Sequence, residues 1–346
     1  MDPTAPAERF DASWMTVVIC TCDRARELAR CVASVLRNQY LGFDLLVVDQ
    51  SSDSSTEEAV REFQTDPRLR YLRSETKGLS AGRNLGIGCA RGEMIACTDD
   101  DCETPPDWLS RMAAALRYED RTAVVFGNVR PGGHDRVAGF VVGYLRDSPF
   151  LARSIRHMHR ADGMSGCMGL RRSAWERLGG FDELLGAGAP FPAAEEMDLA
   201  IRALLTGFCV YATPEVEVMH HGFRSWDTAR GMVRGYLYGI GAMIAKHLKC
   251  GNWGILHYVA HLFWRWAFAG PVVDLGHRPS RWVRLRAFVL GAKAGLACAV
   301  ERRRSLYRGA RVAEDRMGAV AAGCMAPREG NAGPEYMEEM PRFHDD

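Results

Sequence analysis

Three consecutive aspartates, Asp99-Asp100-Asp101, stand at the end of the apolar run Met94-Ile95-Ala96-Cys97-Thr98. The run reads as a buried strand, and Pro105-Pro106 closes the segment. Like charges crowded at a strand end repel one another and lose hydration, so a cation should offset them. A hard divalent ion suits carboxylate oxygens. Ligands of open α/β sheets lie beyond the carboxyl ends of the strands, where this cluster falls, and a metal there could carry a diphosphate. On the triplet alone, a solvated acidic loop is the competing reading.

The elements that must position the cluster follow from hydrophobic periodicity. Strands are expected at Thr16 to Cys20, Leu45 to Val48, Leu69 to Leu72, Met94 to Thr98 and Val124 to Val129. Helices are expected between them at Glu27 to Leu36, from Ser54 onward, at Leu79 to Ala90 and at Trp108 to Tyr118. The Gly- and Ala-rich composition of Leu79 to Ala90 implies that something packs closely on it. This alternation predicts a mostly parallel βαβ sheet. Residues 131–162 read as a variable excursion. Beyond them come a strand at Cys167 to Leu170, helices at Arg172 to Leu178 and Glu195 to Leu205, and two strands at Cys209 to Ala212 and Val216 to His220.

Four segments then have to be read together. They are Val17-Val18-Ile19-Cys20-Thr21-Cys22-Asp23-Arg24, Leu46-Val47-Val48-Asp49-Gln50-Ser51-Ser52-Asp53, and Thr98-Asp99-Asp100-Asp101 with Pro105-Pro106-Asp107-Trp108-Leu109. The fourth runs from Gly179-Gly180-Phe181-Asp182-Glu183 through Glu195-Glu196-Met197-Asp198-Leu199 to His220-His221-Gly222. In this order and spacing they resemble the family-2 inverting glycosyltransferases of GT-A fold, over residues ~15 to ~225. The resemblance implies an α/β fold with a mostly parallel central sheet flanked by helices. It implies a hexosyltransferase-type enzyme of cell-envelope or polysaccharide biosynthesis. Such an enzyme uses Mg²⁺ or Mn²⁺ and moves a sugar from a nucleotide-diphosphate sugar to a glycan, lipid-linked or natural-product hydroxyl.

Site residues follow by the same resemblance. Thr21, Asp23 and Asp49 would hold the nucleotide, and Arg83, in a stretch resembling G-x-x-x-A-R-N, would face the donor's phosphates or sugar. Asp101 would bind the metal with Asp99 and His220, and Asp99 and Asp100 would also touch the donor. The usual E-D-x-D-L reads Glu195-Glu196-Met197-Asp198-Leu199 here, so Glu196 stands where an aspartate normally acts as base and Glu195 is its rival. Asp198, His221 and Trp226 are expected on the acceptor side. Gly166-Cys167-Met168-Gly169 replaces a stretch that often reads G-x-N-M.

Bulk properties set the remaining bounds. A net charge of +1 over 346 residues implies no global field for nucleic acid. Eleven scattered cysteines, an odd count with no recognisable signal peptide ahead of the first strand, favour a reducing cytoplasm. Between Cys250 and Val312, eleven basic residues face only Asp274 and Glu301, and Trp253, Trp264, Trp266 and Trp282 interleave with arginines. The expected organisation is a leader (1–14), a GT-A catalytic domain (15–225), a helical C-terminal region (226–311) and a disordered tail (312–346). The helical region offers an acceptor, dimer or membrane-interface surface, and leaves open peripheral contact with the cytoplasmic face of a membrane. Q-x-x-R-W, the motif of processive synthesis, is absent, so a non-processive transfer is expected. The alternatives are a nucleotidyltransferase, which would usually show a Gly-rich basic loop after the first strand, and an inactive carbohydrate-binding scaffold.

Overall fold

The computed structural model describes residues 13–264 and 280–309. Most of the expected leader, the tail from 312, Trp266 and Cys324 lie outside the described residues.

The first half alternates as the periodicity predicts: β1 (Met15–Thr21), α1 (Ala25–Leu36), β2 (Phe43–Asp49), α2 (Ser55–Val60), β3 (Leu69–Arg73), α3 (Leu79–Gly88), β4 (Met94–Asp99), β5 (Cys102–Glu103), α4 (Trp108–Leu116) and β6 (Thr122–Pro131). The excursion holds two short strands, β7 (Gly139–Val141) and β8 (Phe150–Ala152). Then follow β9 (Met168–Arg171), α5 (Arg172–Leu178), α6 (Glu195–Leu205), β10 (Cys209–His220), β11 (Phe223–Ser225) and the long α7 (Trp226–Lys249). After α8 (Ile255–Trp264) and α9 (Arg281–Ala297), strands β12 (Val300–Glu301) and β13 (Leu306–Tyr307) pair as a hairpin, where helix was expected.

The main sheet runs β3-β2-β1-β4-β9-β6-β10-β5, with β8 on the far side of β10. β1, β2, β3 and β4 are mutually parallel, and β9 enters antiparallel between β4 and β6. The two strands expected at 209–212 and 216–220 are one strand with an irregularity between Ala212 and Glu217. That break bends the strand without ending its pairing to β6.

Alternating side chains of each strand feed opposite layers. Val17, Ile19, Leu45 and Val47 pack with Leu28, Val32, Trp108 and Met112. Val18, Leu46, Val48 and Ile95 pack with Ile87, Trp175, Leu199 and Ala203 on the other face. The glycines of α3 set its distance from the sheet, since a Cβ on Gly86 would lie 2.6 Å from a Val18 methyl. None of the described cysteines is in a disulfide. Among the described residues no helix is long and apolar enough to cross a membrane.

Candidate active site

The parallel strands bring their carboxyl ends together. Cys20 of β1 registers with Asp99 of β4, which sets Thr21 beside Asp100, and the Thr21 hydroxyl donates to Asp100 Oδ2 at 2.8 Å. Arg24, at the head of α1, donates from Nη1 to Asp100 Oδ1 at 2.7 Å and from Nη2 to Asp101 Oδ2 at 2.5 Å. For Asp100 and Asp101 the expected repulsion is therefore offset from inside the chain by one guanidinium. Burial still pushes the Asp100 carboxyl up to about 7, against the pull of Arg24.

The far end of β10 completes the cluster. His220 registers with Cys102 of β5, which carries its Nε2 to 3.2 Å from Asp101 Oδ1. Its Nδ1 lies 2.7 Å from the Val142 carbonyl, so Nδ1 is the donor there and Nε2 faces the carboxylate. Burial opposes charge at Asp101, but the His220 hydrogen bond and Arg24 hold its carboxyl far below the usual carboxylate range. His221 is turned away, 3.4 Å from Glu103, because neighbouring residues at a strand end face opposite sides.

Opposite the aspartates stands the N-terminus of α6. Ala194, just ahead of it, holds a left-handed backbone with φ 74°, uncommon for a residue with a Cβ and typical of strained functional turns. Glu195 is buried and receives Arg83 Nη1 at 3.1 Å, while Arg83 Nη2 reaches Asp99 at 3.0 Å. One buried guanidinium thus ties the start of α6 to the acidic strand end. Glu196 is half-buried and lines the cavity. Burial and the adjacent Glu195 charge raise its carboxyl well above the usual range. Tyr236 of α7 lies near both glutamates, and burial together with those charges pushes its hydroxyl up to about 12.

These groups share one cavity of about 630 Å³. Thr21, Gln50, Lys77 and the three aspartates form its polar end. Met197, Tyr236, Leu237, Ile240, Tyr258 and Leu262 form an apolar end, with Glu195 and Glu196 also in its wall.

Several expected site residues lie elsewhere. Asp49 is fully buried beneath the loop, accepting from Ser51 N, Tyr71 and Arg73. Asp23 is outside the cavity wall and accepts from Ser52 N and Oγ, fastening the loop after β1 to the one after β2. Arg83 also falls outside the wall and serves as the internal bridge. Asp198 cannot meet an acceptor as expected. Its side chain is fully buried, with Arg202 at 2.8 Å, Lys246 at 2.6 Å and His247 at 2.9 Å. Trp226 stacks on Phe140 at 5.1 Å and donates to the Val137 carbonyl, and does not line the cavity. Unforeseen contributors are Arg24, Lys77, Tyr236 and Tyr258. Arg24 sits inside a motif read for its neighbours, and the tyrosines come from helices whose approach no local pattern encodes.

A family model, Glycosyl transferase family 2, matches residues 16–179. Over that span, just under half of the chain, the sequence is similar to glycosyl transferase family 2. The matched span carries β1, the aspartate cluster and β9 but stops before α6 and its two glutamates. The chain is 29% identical over 230 residues to the uncharacterized protein y4gI of Sinorhizobium fredii, a match covering 60% of this chain and 24% of y4gI. The chain thus spans about a quarter of that relative's length. It is 24% identical to a glucosyl-dolichyl phosphate glucuronosyltransferase of Haloferax volcanii, over 64% of this chain and 75% of the relative. Its fold is similar to that of the mannosyltransferase PcManGT from Pyrobaculum calidifontis, solved in complex with GDP-Man and Mn²⁺. That likeness has a TM-score of 0.54 and 18% identity, and covers 93% of this chain and 87% of the other. The chain therefore has the GT-A type of mixed α/β sheet.

Proposed function

We propose that this chain is a metal-dependent, inverting glycosyltransferase that moves a sugar from a nucleotide-diphosphate sugar to an acceptor hydroxyl. The observation that carries the reading is the single cavity, with aspartates and a histidine at one end and a glutamate of raised basicity beside an apolar wall at the other.

The residues fit a hard divalent cation. Asp101 Oδ1 is buried without a hydrogen-bond partner of good geometry, and carboxylate oxygens of Asp99 and Asp101 can approach one centre. A Cβ at Gly222 would overlap Asp101 Oδ2 and come within 2.5 Å of His220 Nε2, so the glycine keeps that space clear. Cys102 adjoins the pair, but burial raises its thiol well above the ordinary range, and a protonated thiol is a poor ligand for a hard ion. Asp101, Asp99 and His220 would hold Mg²⁺ or Mn²⁺, which supplies Lewis-acid neutralisation of the diphosphate.

The chain's own groups do the rest. Thr21, Gln50 and Lys77 line the end where the nucleotide lies. Glu196 takes the proton of the acceptor hydroxyl, the oxygen forms the new bond at the anomeric carbon, and the bond to the diphosphate breaks on the opposite face, inverting the centre. The apolar end, with Tyr236 and Tyr258, orients the acceptor and keeps water from competing.

The test is incubation with a panel of nucleotide sugars and Mn²⁺, following nucleoside diphosphate release with and without acceptors. Release of a nucleoside diphosphate supports the reading, with the product anomer read by NMR. Release of pyrophosphate in a parallel incubation with nucleoside triphosphates and a sugar 1-phosphate would instead mark a nucleotidyltransferase, and no turnover of any donor a scaffold. Asp101→Asn should lower Mn²⁺ affinity and turnover by at least about a hundredfold, beyond the 10–100-fold typical of outer-shell changes, while the chain stays folded. Undiminished Mn²⁺ binding by calorimetry would remove Asp101 from the metal site.

A further inference from the structure

We propose that the outward face of α9 is a docking surface for an anionic lipid bilayer. The helix is apolar on two sides. Its inner side, with Ala287, Phe288, Gly291 and Gly295 buried, is pressed so closely on α7 that a Cβ at Gly291 would overlap the Tyr238 carbonyl oxygen. Its outer side leaves Trp282 79%, Leu285 37%, Val289 40% and Leu296 52% exposed. At 100° per residue these four fall within about 60° of one another around the axis. A soluble surface helix would put polar residues there, and a helix apolar all round requires a partner on each side.

Charge identifies the partner. Exposed Arg286 and Lys293 follow the stripe on one flank, Arg281 lies on the other, and α9 contains no acidic residue. An apolar stripe led by tryptophan and bordered by long basic side chains matches an in-plane interfacial helix. The rings and aliphatic groups enter the headgroup boundary while the cationic ends reach lipid phosphates. A second copy fits less well, because a two-fold contact through this stripe would bring the basic flanks of both helices together with no acid on α9 to pair them. Phe263 of α8, 40% exposed, packs edge-on against Phe288 on the inner side of α9 with centroids 5.7 Å apart, tying the two helices together. The same helix α8 supplies Tyr258 and Leu262 to the cavity wall.

The test uses the full chain in co-sedimentation with vesicles of phosphatidylcholine alone or mixed with phosphatidylglycerol. Binding is expected to the mixed vesicles at low salt and to fall at high salt. Arg286→Ala with Lys293→Ala should weaken it by roughly fivefold per charge removed. Trp282→Glu with Val289→Glu should weaken it by at least about tenfold, with melting temperature and nucleotide binding unchanged because the face is outside the cavity and the core. Absence of binding to anionic vesicles, or undiminished binding by both double variants, overturns the proposal. So does a dimer in solution that Trp282→Glu/Val289→Glu dissociates, which would assign the face to a second copy. Nucleotide binding measured alongside separates failure here from failure of the enzymatic reading.

Discussion

Glu196→Gln is expected to lower turnover by about 10²–10⁴-fold, the range for losing a general base, with little change in donor affinity. Gln keeps the shape of the side chain and removes its basicity, so a loss confined to kcat marks a group acting on the proton in the transition state. The pH profile adds a second reading. A base works deprotonated, so activity falls as pH drops through its pKa. Burial and the Glu195 charge raise the Glu196 carboxyl, placing the acidic limb of kcat/KM above the ordinary carboxylate range. That limb should vanish in Glu196→Gln. Glu196→Asp restores the family's usual residue and should keep part of the activity. Glu195→Gln should behave differently, because Glu195 is bound to Arg83, which also holds Asp99. Its loss should loosen the donor end and raise KM. Normal turnover in Glu196→Gln with a dead Glu195→Gln would move the base one residue back.

The second large effect is on stability. Lys246 of α7 is fully buried, 2.6 Å from both Asp182 and Asp198. Lys246→Met is expected to cost about 3–5 kcal/mol, the range for breaking a buried ion pair by removing one partner. Asp198 keeps Arg202 and His247 after the change, but Asp182 is left with only the Tyr307 and Leu184 amides and no cation. Adding Asp182→Asn should therefore recover a substantial part of the loss, a coupling that a double-mutant cycle in urea unfolding measures directly. A loss below about 1 kcal/mol would show that solvent or a neighbour compensates the carboxylates. Asp198 belongs to the helix that opens with Glu195 and Glu196, and α7 brings Tyr236 to the cavity. A Cβ on Gly239 of α7 would lie 2.9 Å from Ala193 N, just ahead of that helix. The cluster thus seats α6 against α7, and under the proposed function turnover in Lys246→Met should fall even below its melting temperature.

The pattern of apolar runs and helical periodicity by itself determined the alternating first half, because β1, β2 and β4 are short apolar runs buried on both faces and helices such as α1 and α4 bury one face in a repeat of 3.6 residues. It also determined where the acids would stand, since Asp99 to Asp101 close a strand whose neighbours run parallel. It mistook β10 for two strands, since a local irregularity weakens the apolar pattern without breaking the ladder. It expected helix at the β12–β13 hairpin, whose two-residue strands are too short to carry a period. The roles of Asp49, Asp198 and Trp226 were not legible either. A carboxylate at a strand end or helix start looks the same in sequence whether it faces a ligand or a buried lysine. Tertiary structure decided these by supplying partners from far along the chain: Tyr71 and Arg73 for Asp49, Lys246 and His247 for Asp198, Phe140 for Trp226. It also separated Glu195 from Glu196, because only the packed chain brings Arg83 within 3.1 Å of one glutamate and leaves the other in the cavity wall. Local pattern fixes which groups lie at strand and helix ends, whereas the electrostatic field that raises the Glu196 carboxyl is a sum over contacts between segments that sequence spacing does not encode.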